Sequence, residues 1–248
     1  MNDINENKVA QRSSDRRRFL SVLGTTAVVG SAGVGLGSRL GYAAETMTKA
    51  QRDRLSPDQI IELMKQGNER FRKGAEPTRN YIAQQQATAN DQHPAAIILS
   101  CVDSRAPAEI IMDFGIGDVF NSRVAGNIAN DDILGSMEFA CKVAGAKVIL
   151  VMGHTSCGAI KGAIDGVKLG NLTGLLAKIR PAVDATEFKG HRSSKNLAFV
   201  DAVAAKNVEL TINSIRANSS VLHDLESSKE IKIVGAIYNL ENGAVNFL

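Results

Sequence analysis

The chain has 248 residues, 44% of them hydrophobic and 22% charged, which suits one large globular domain with a proper core and excludes a low-complexity chain. Its formal net charge is +3, but residues 1–44 hold six of the 29 Lys and Arg and three of the 26 Asp and Glu, leaving 23 of each beyond them. The remainder is therefore neutral, so its charge gives no argument for a nucleic-acid partner or an anionic membrane surface.

Taken in chain order, the first feature is a leader. Arg16-Arg17-Arg18-Phe19-Leu20 precedes a Gly-rich, weakly apolar stretch from Val22 to Leu36. Glycines, serine and threonine interrupt that stretch, and it is at or below the ~18 residues a membrane span needs. Small residues at Gly41, Ala43 and Ala44 then offer a cleavage site. The pattern resembles a bacterial twin-arginine export signal. It implies export machinery as a partner, cleavage after Ala43 or Ala44, and a periplasmic or otherwise exported product. One domain over residues 45–248 remains, with no stable membrane association.

Residues 45–55 read as a polar lead-in. Ser56-Pro57-Asp58-Gln59 then predicts a helix, with Ser56 at the N-cap, Pro57 at N1 and Gln59 closing a capping box. Ile60, Ile61, Met64 and Phe71 mark its apolar face, and Gly74 ends it. Residues 75–93 read as a loop and a second short helix. Ala95–Ser100 is a short unbroken apolar run, which its length and the polar turn after it favour as a doubly buried strand. Helix is expected over Ala106–Asp113, strand over Asp118–Ser122 and helix over Gly135–Ala144. Lys147–Met152 is a second buried strand, ending on Gly153-His154. Cys157-Gly158 opens a helix to about Gly166. Helices follow near 172–184 and 195–217, then a strand over Glu230–Ala236, a turn at Glu241-Asn242-Gly243 and a returning segment to Leu248. Short buried strands alternating with helices predict an α/β domain around a mainly parallel sheet flanked by helices. In such sheets ligands sit beyond the carboxyl ends of the strands, where Cys101 and His154 fall.

Three cysteines, Cys101, Cys141 and Cys157, are too few and too odd in number for a disulfide framework. A metal is the alternative occupation for exported thiols. His154-Thr155-Ser156-Cys157 can present a nitrogen and a sulfur to one ion, and Cys101 can supply a third ligand from the other strand end. Two cysteines and one histidine with an open position form a catalytic zinc pattern, and thiolates favour zinc over magnesium or calcium. Asp103 and Arg105 lie two and four residues past Cys101. A carboxylate there can bind the metal or accept a hydrogen bond from its water, and an arginine can hold that carboxylate.

Cys101-Val102-Asp103-Ser104-Arg105 followed by His154-Thr155-Ser156-Cys157-Gly158 resembles the beta class of carbonic anhydrases. The resemblance runs from about residue 56 to the C-terminus. GDVFNSRVAGN (117–127) resembles the segment between the two motifs, and IKIVGAIYNLENGAV the last strand and its hairpin. It implies one zinc ion held by Cys101, His154 and Cys157. It implies reversible hydration of carbon dioxide to bicarbonate and a proton, by a hydroxide that Asp103, paired with Arg105, positions. Because two thiolates donate more charge than two imidazoles, activity is expected to favour alkaline pH. Gln92, nine residues before Cys101, matches a substrate-contacting glutamine, Phe120 an apolar pocket residue, and Gly158 a backbone N–H that meets an oxyanion. A homodimer or a higher assembly of dimers is implied, with the pocket at the subunit interface. A related zinc hydrolase acting on carbonyl sulfide or carbon disulfide, and a non-catalytic zinc-binding protein, are the alternatives.

The match has departures. Phe139 stands where many relatives carry tyrosine. Ile98 stands where a bicarbonate-inhibited subgroup carries tryptophan, although Arg123 matches that subgroup's arginine. The expectation is the open form, with Asp103 off the metal. Cys141 reads as a buried structural thiol, and His191 and His223 as solvated side chains.

Overall fold

A computed structural model describes residues 46–248, and the leader, on which the export reading rests, lies outside them. Five strands form one sheet: β1 (Ala96–Ser100), β2 (Val119–Arg123), β3 (Val148–His154), β4 (Lys232–Tyr238) and β5 (Val245–Phe247). Their order is β2-β1-β3-β4-β5. The first four run parallel, and β5 returns antiparallel on β4. This is the mainly parallel α/β sheet expected.

Every residue of β1 and β3 is buried, which explains why both read as apolar runs without alternation. The alternation is there in the packing. Ile98, Leu150 and Met152 face α2 (Pro57–Lys73) and α4 (Ala108–Ile111), where they meet Ile60, Met64 and Ile111. Ile97, Leu99, Ile149 and Val151 face the other way, against Val208, Ile212 and Ile215 of α8 (Leu197–Asn218). Truncating a fully buried residue such as Leu150 to alanine costs about 2–5 kcal/mol, since a rigid three-layer packing cannot collapse around the gap.

Local signals placed several boundaries. Ser56 and Gln59 form the predicted capping box, and Gly74 ends α2 in the left-handed region at φ 57°. α3 (Tyr81–Thr88) is the short helix expected in the polar segment. The lead-in differs from expectation: Lys49–Arg54 is a helix, α1, with its own capping box between Thr48 and Gln51. Six residues are too few to show an apolar period, and its buried member is Arg52, which donates to the Ala144 carbonyl. The segment expected as helix over Gly135–Ala144 starts earlier, as α5 (Asp131–Glu138) capped by Asn130, and loosens to π-helix over Phe139–Val143. Next come α6 (Gly158–Asp165), α7 (Gly170–Ala185) and α8, then α9 (Ser220–Ser227), which Ser219 caps and which is not among the helices expected. Among the described residues no helix is long and apolar enough to cross a membrane.

Candidate metal centre

Strands β1 and β3 are paired in register, Ser100 opposite Met152. The residues that leave their carboxyl ends therefore emerge side by side. Cys101 follows β1 directly, and His154 is the last residue of β3. Three residues on, Cys157 caps α6. Ligand atoms of Cys101, His154 and Cys157 lie within 4.8 Å of one another, and all three residues are buried. The two sulfurs stand 4.0 Å apart. Two thiolates on a tetrahedral zinc, each bonded at ~2.3 Å, stand roughly 3.8 Å apart, so the set fits that ion.

Hydrogen bonding prepares each ligand. His154 Nδ1 donates to the Thr155 carbonyl at 2.9 Å, which fixes the tautomer and leaves the Nε2 lone pair free. Nε2 is buried and has no hydrogen-bond partner. A buried nitrogen left so is costly unless something else takes it, and a metal would. Cys101 Sγ accepts from the Gly126 N–H at 3.4 Å. Gly126 has φ 70°, and a side chain there would collide with Ile179. Cys157 Sγ lies at the start of α6, where the Ala159 and Ile160 N–H groups favour a thiolate.

Electrostatics point the same way. The Cys157 thiol donates to Cys101 and pulls the Cys101 pKa down, helped by His154 and Gly126 against burial. The same pairing, with burial, pushes Cys157 up. Ionising both without a cation would set two negative charges 4.0 Å apart. That costs about 4 kcal/mol at an effective dielectric near 20. A divalent cation reverses the sign. Burial works against a charged His154, but the Cys101 sulfur, the Thr155 carbonyl and Asp103 outweigh it and raise its pKa, so a proton competes with a metal for Nε2 and binding there would release it.

Asp103 sits at the mouth of this cluster, its Oδ2 3.8 Å from His154 Nε2. Arg105 donates to both its oxygens, Nε to Oδ1 at 2.9 Å and Nη2 to Oδ2 at 2.8 Å, and the Arg105 N–H adds a third bond to Oδ1 at 3.0 Å. That pairing holds the Asp103 carboxyl well below the usual carboxylate range. Arg123 is engaged with the loop backbone, donating to the Cys101 carbonyl at 2.9 Å and the Asp103 carbonyl at 2.5 Å. Gly158, the first residue of α6, is exposed with open space beside its Cα.

Gln92 and Phe120 are not brought to this cluster within one chain. Gln92 is exposed and precedes the amino end of β1, whereas Cys101 follows its carboxyl end. Five strand residues, roughly 16 Å, intervene. Phe120 is early in β2, opposite Ile97, and packs on Phe139 at 6.0 Å between ring centroids. Cys141 is buried, and burial pushes its thiol up to about 12, as a structural thiol requires. An open cleft of about 940 Å³ lies elsewhere, lined by Lys206, Arg216 and Leu248, with Arg216 already held by Glu226.

Two supporting residues carry no local signal in the sequence. Asp201 accepts the Ser156 N–H at 2.8 Å, and Asn207 donates to the Gly126 carbonyl at 2.8 Å. Both stand on α8, more than 40 residues beyond Cys157, and no local spacing links them to it.

The fold and site define a class: a cysteine–histidine–cysteine metal centre at the carboxyl edge of a mainly parallel sheet. A family model described as carbonic anhydrase matches residues 96–245. Carbonic anhydrase 2 of Mycobacterium tuberculosis is 35% identical over 195 residues, covering 76% of this chain and 91% of that protein. The carbonic anhydrase of Mycolicibacterium smegmatis is 32% identical, over 77% of this chain and 92% of its own. Among solved structures, a tetrameric beta-carbonic anhydrase of Sordaria macrospora superposes with a TM-score of 0.58 at 25% identity, covering 66% of this chain and 84% of that one. The chain belongs to the carbonic anhydrase family, in its beta class, and is an enzyme of that kind.

Proposed function

We propose that this chain interconverts carbon dioxide and bicarbonate at a zinc ion held by Cys101, His154 and Cys157. The carrying observation is the buried His154 Nε2, without a hydrogen-bond partner, clustered with two sulfurs within 4.8 Å, with an arginine-locked carboxylate beside it. Zinc bound there supplies Lewis-acid activation of water.

The chain's own residues supply the orientation. Asp103, kept ionised by Arg105, can only accept a hydrogen bond. It therefore takes the proton side of the reacting water and turns the oxygen lone pair toward the carbon of carbon dioxide. Arg105 occupies both Asp103 oxygens, which keeps this carboxylate off the metal and favours the open form. Arg123 fixes the Cys101 and Asp103 carbonyls, so ligand and acceptor move as one unit. The Gly158 N–H at the start of α6 offers a donor to an oxyanion. Water adds to carbon dioxide to give bicarbonate, and one proton leaves to solvent.

The active assembly is a homodimer or an assembly of dimers. β2 is a sheet edge; Phe139, which packs on Phe120 of that strand, is 51% exposed, and Val102, two residues past β1, is 54% exposed. Edge strands and exposed aromatics ask for cover. A role for Gln92 and Phe120 in catalysis then falls at the partner's site. Export by the twin-arginine route, with residues 1–44 removed, completes the reading, and amino-terminal sequencing of the mature protein tests it.

The deciding experiment is stopped-flow carbon dioxide hydration at about pH 8.5, with zinc quantified, beside Asp103→Ala. Turnover that falls in the variant at equal zinc is the expected result. Full zinc without turnover overturns the reading and sends the search to carbonyl sulfide and carbon disulfide.

A further inference from the structure

His154 and Cys157 are separated by two residues, so the intervening turn alone fixes the distance and angle between two ligands. Ser156 in that turn has φ 55°. This left-handed conformation is uncommon for a residue with a side chain, and it persists only where surroundings hold it. The Ser156 N–H donates to Asp201 Oδ1 at 2.8 Å. Asp201 projects from α8, a 22-residue helix from outside the motif.

That helix is fixed against the strand carrying His154. Gly153 precedes His154, and a side chain there would collide with Val208 and Ile237 and approach the Ala204 carbonyl. Val208 and Ala204 belong to α8, so helix and strand end meet with no room for a Cβ. Six residues beyond Asp201, Asn207 is buried and donates to the carbonyl of Gly126, whose own N–H meets Cys101 Sγ at 3.4 Å. One rigid helix therefore reaches both ligand loops with polar side chains. His154 is braced separately, since Thr155 donates to the Tyr238 carbonyl and its Oγ1 accepts from the Leu240 N–H. The Ser156 peptide is left to Asp201.

We propose that Asp201 is a positioning residue: it locks the left-handed turn between His154 and Cys157 and so sets how slowly the site releases its metal. Its contribution is that of a hydrogen-bond acceptor, and its charge is incidental. The inference rests on the zinc reading above.

The test uses the zinc-loaded enzyme, a chelator in excess and a zinc indicator. Outer partners of metal ligands commonly change affinity by about 10–100-fold, so Asp201→Ala should release zinc at least ~10-fold faster than the unmodified enzyme. Asp201→Asn keeps an acceptor in place and should stay within about twofold. In the cobalt(II)-substituted protein, Asp201→Ala should shift the visible bands and Asp201→Asn should not. Glycine adopts φ 55° freely, so adding Ser156→Gly to Asp201→Ala should recover much of the slow release. Unchanged release and bands in Asp201→Ala, or an Asp201→Asn variant that releases as fast as Asp201→Ala, would overturn the proposal. If Asp201→Ala does not fold, the double variant decides: folding with slow release supports the turn lock, and misfolding overturns it. An unmodified enzyme that holds no zinc defeats the metal reading instead, which keeps the two failures apart.

Discussion

Arg105 grips Asp103 through both carboxylate oxygens, at 2.9 and 2.8 Å, while the gripped Oδ2 lies 3.8 Å from His154 Nε2. The pair is thus beside the ligand set and outside it. Arg105→Ala would free Asp103 to turn toward the cysteine–histidine cluster, where it would compete with water for a metal held there. Turnover should fall roughly 10²-fold with zinc content unchanged, by stopped-flow hydration and metal analysis. A variant that keeps full turnover would remove Arg105 from the mechanism.

The pH profile should separate two groups. Arg105 keeps Asp103 below the usual carboxylate range, so Asp103 stays ionised throughout mildly acidic and neutral pH. Any rise in rate across neutrality therefore reports another group. Cys101 and Cys157 would donate strongly as thiolates to a zinc ion held there, which would weaken its pull on a water proton. The hydration rate should climb from neutral to alkaline pH. A rate that is flat from mildly acidic to alkaline conditions would contradict this.

The ligands and the Asp103–Arg105 pair are legible because they form two short motifs, Cys101 to Arg105 and His154 to Cys157, each at the end of a buried apolar run. Hydrophobic runs gave β1 and β3, and caps such as Ser56 gave helix starts. What stayed hidden is long-range. Asp201 matters only because α8 packs on Gly153, and no spacing in the chain announces that contact. α1 was missed because its buried face consists of Arg52, a charged residue that no apolar pattern flags. Gln92 matches a substrate-contacting position only by a likeness that also implies a pocket at the subunit interface, and β1 separates it from the cluster of its own chain.

Acid stability should depend on a pair far from the metal. Arg216 of α8 donates to both oxygens of Glu226 in α9, at 2.7 and 2.8 Å, and Glu226 also accepts the Ile233 N–H. Arg216 is the main cause of a lowered Glu226 pKa. A lowered carboxylate pKa means that the unfolded chain binds the proton more tightly. The stabilisation is therefore present above the unfolded value of 4.5 and is lost as pH falls through the folded one. Glu226→Gln should lower Tm by a few degrees at neutral pH and flatten the fall in Tm below about pH 5. Since the pair is partly exposed, salt should shrink the difference. Parallel acid limbs in the two proteins would show that Glu226 carries none of the pH dependence.

Gln92 gives the sharpest test of the proposed dimer. It is exposed and lies at the far end of β1 from its own Cys101, so any part it plays in turnover is played at a second chain's site. Gln92→Ala should then lower kcat/KM with zinc retained, and Cys157→Ala should abolish zinc binding and activity. Neither protein alone can assemble a complete site. Mixed and allowed to exchange subunits, they can: the metal centre of the Gln92→Ala chain meets the intact Gln92 of the Cys157→Ala chain. The mixture should exceed the summed activity of its parts, and the excess should vanish if the chains are kept from exchanging. If mixing adds nothing although mass measurement shows the mixed dimer, Gln92 has no role across an interface.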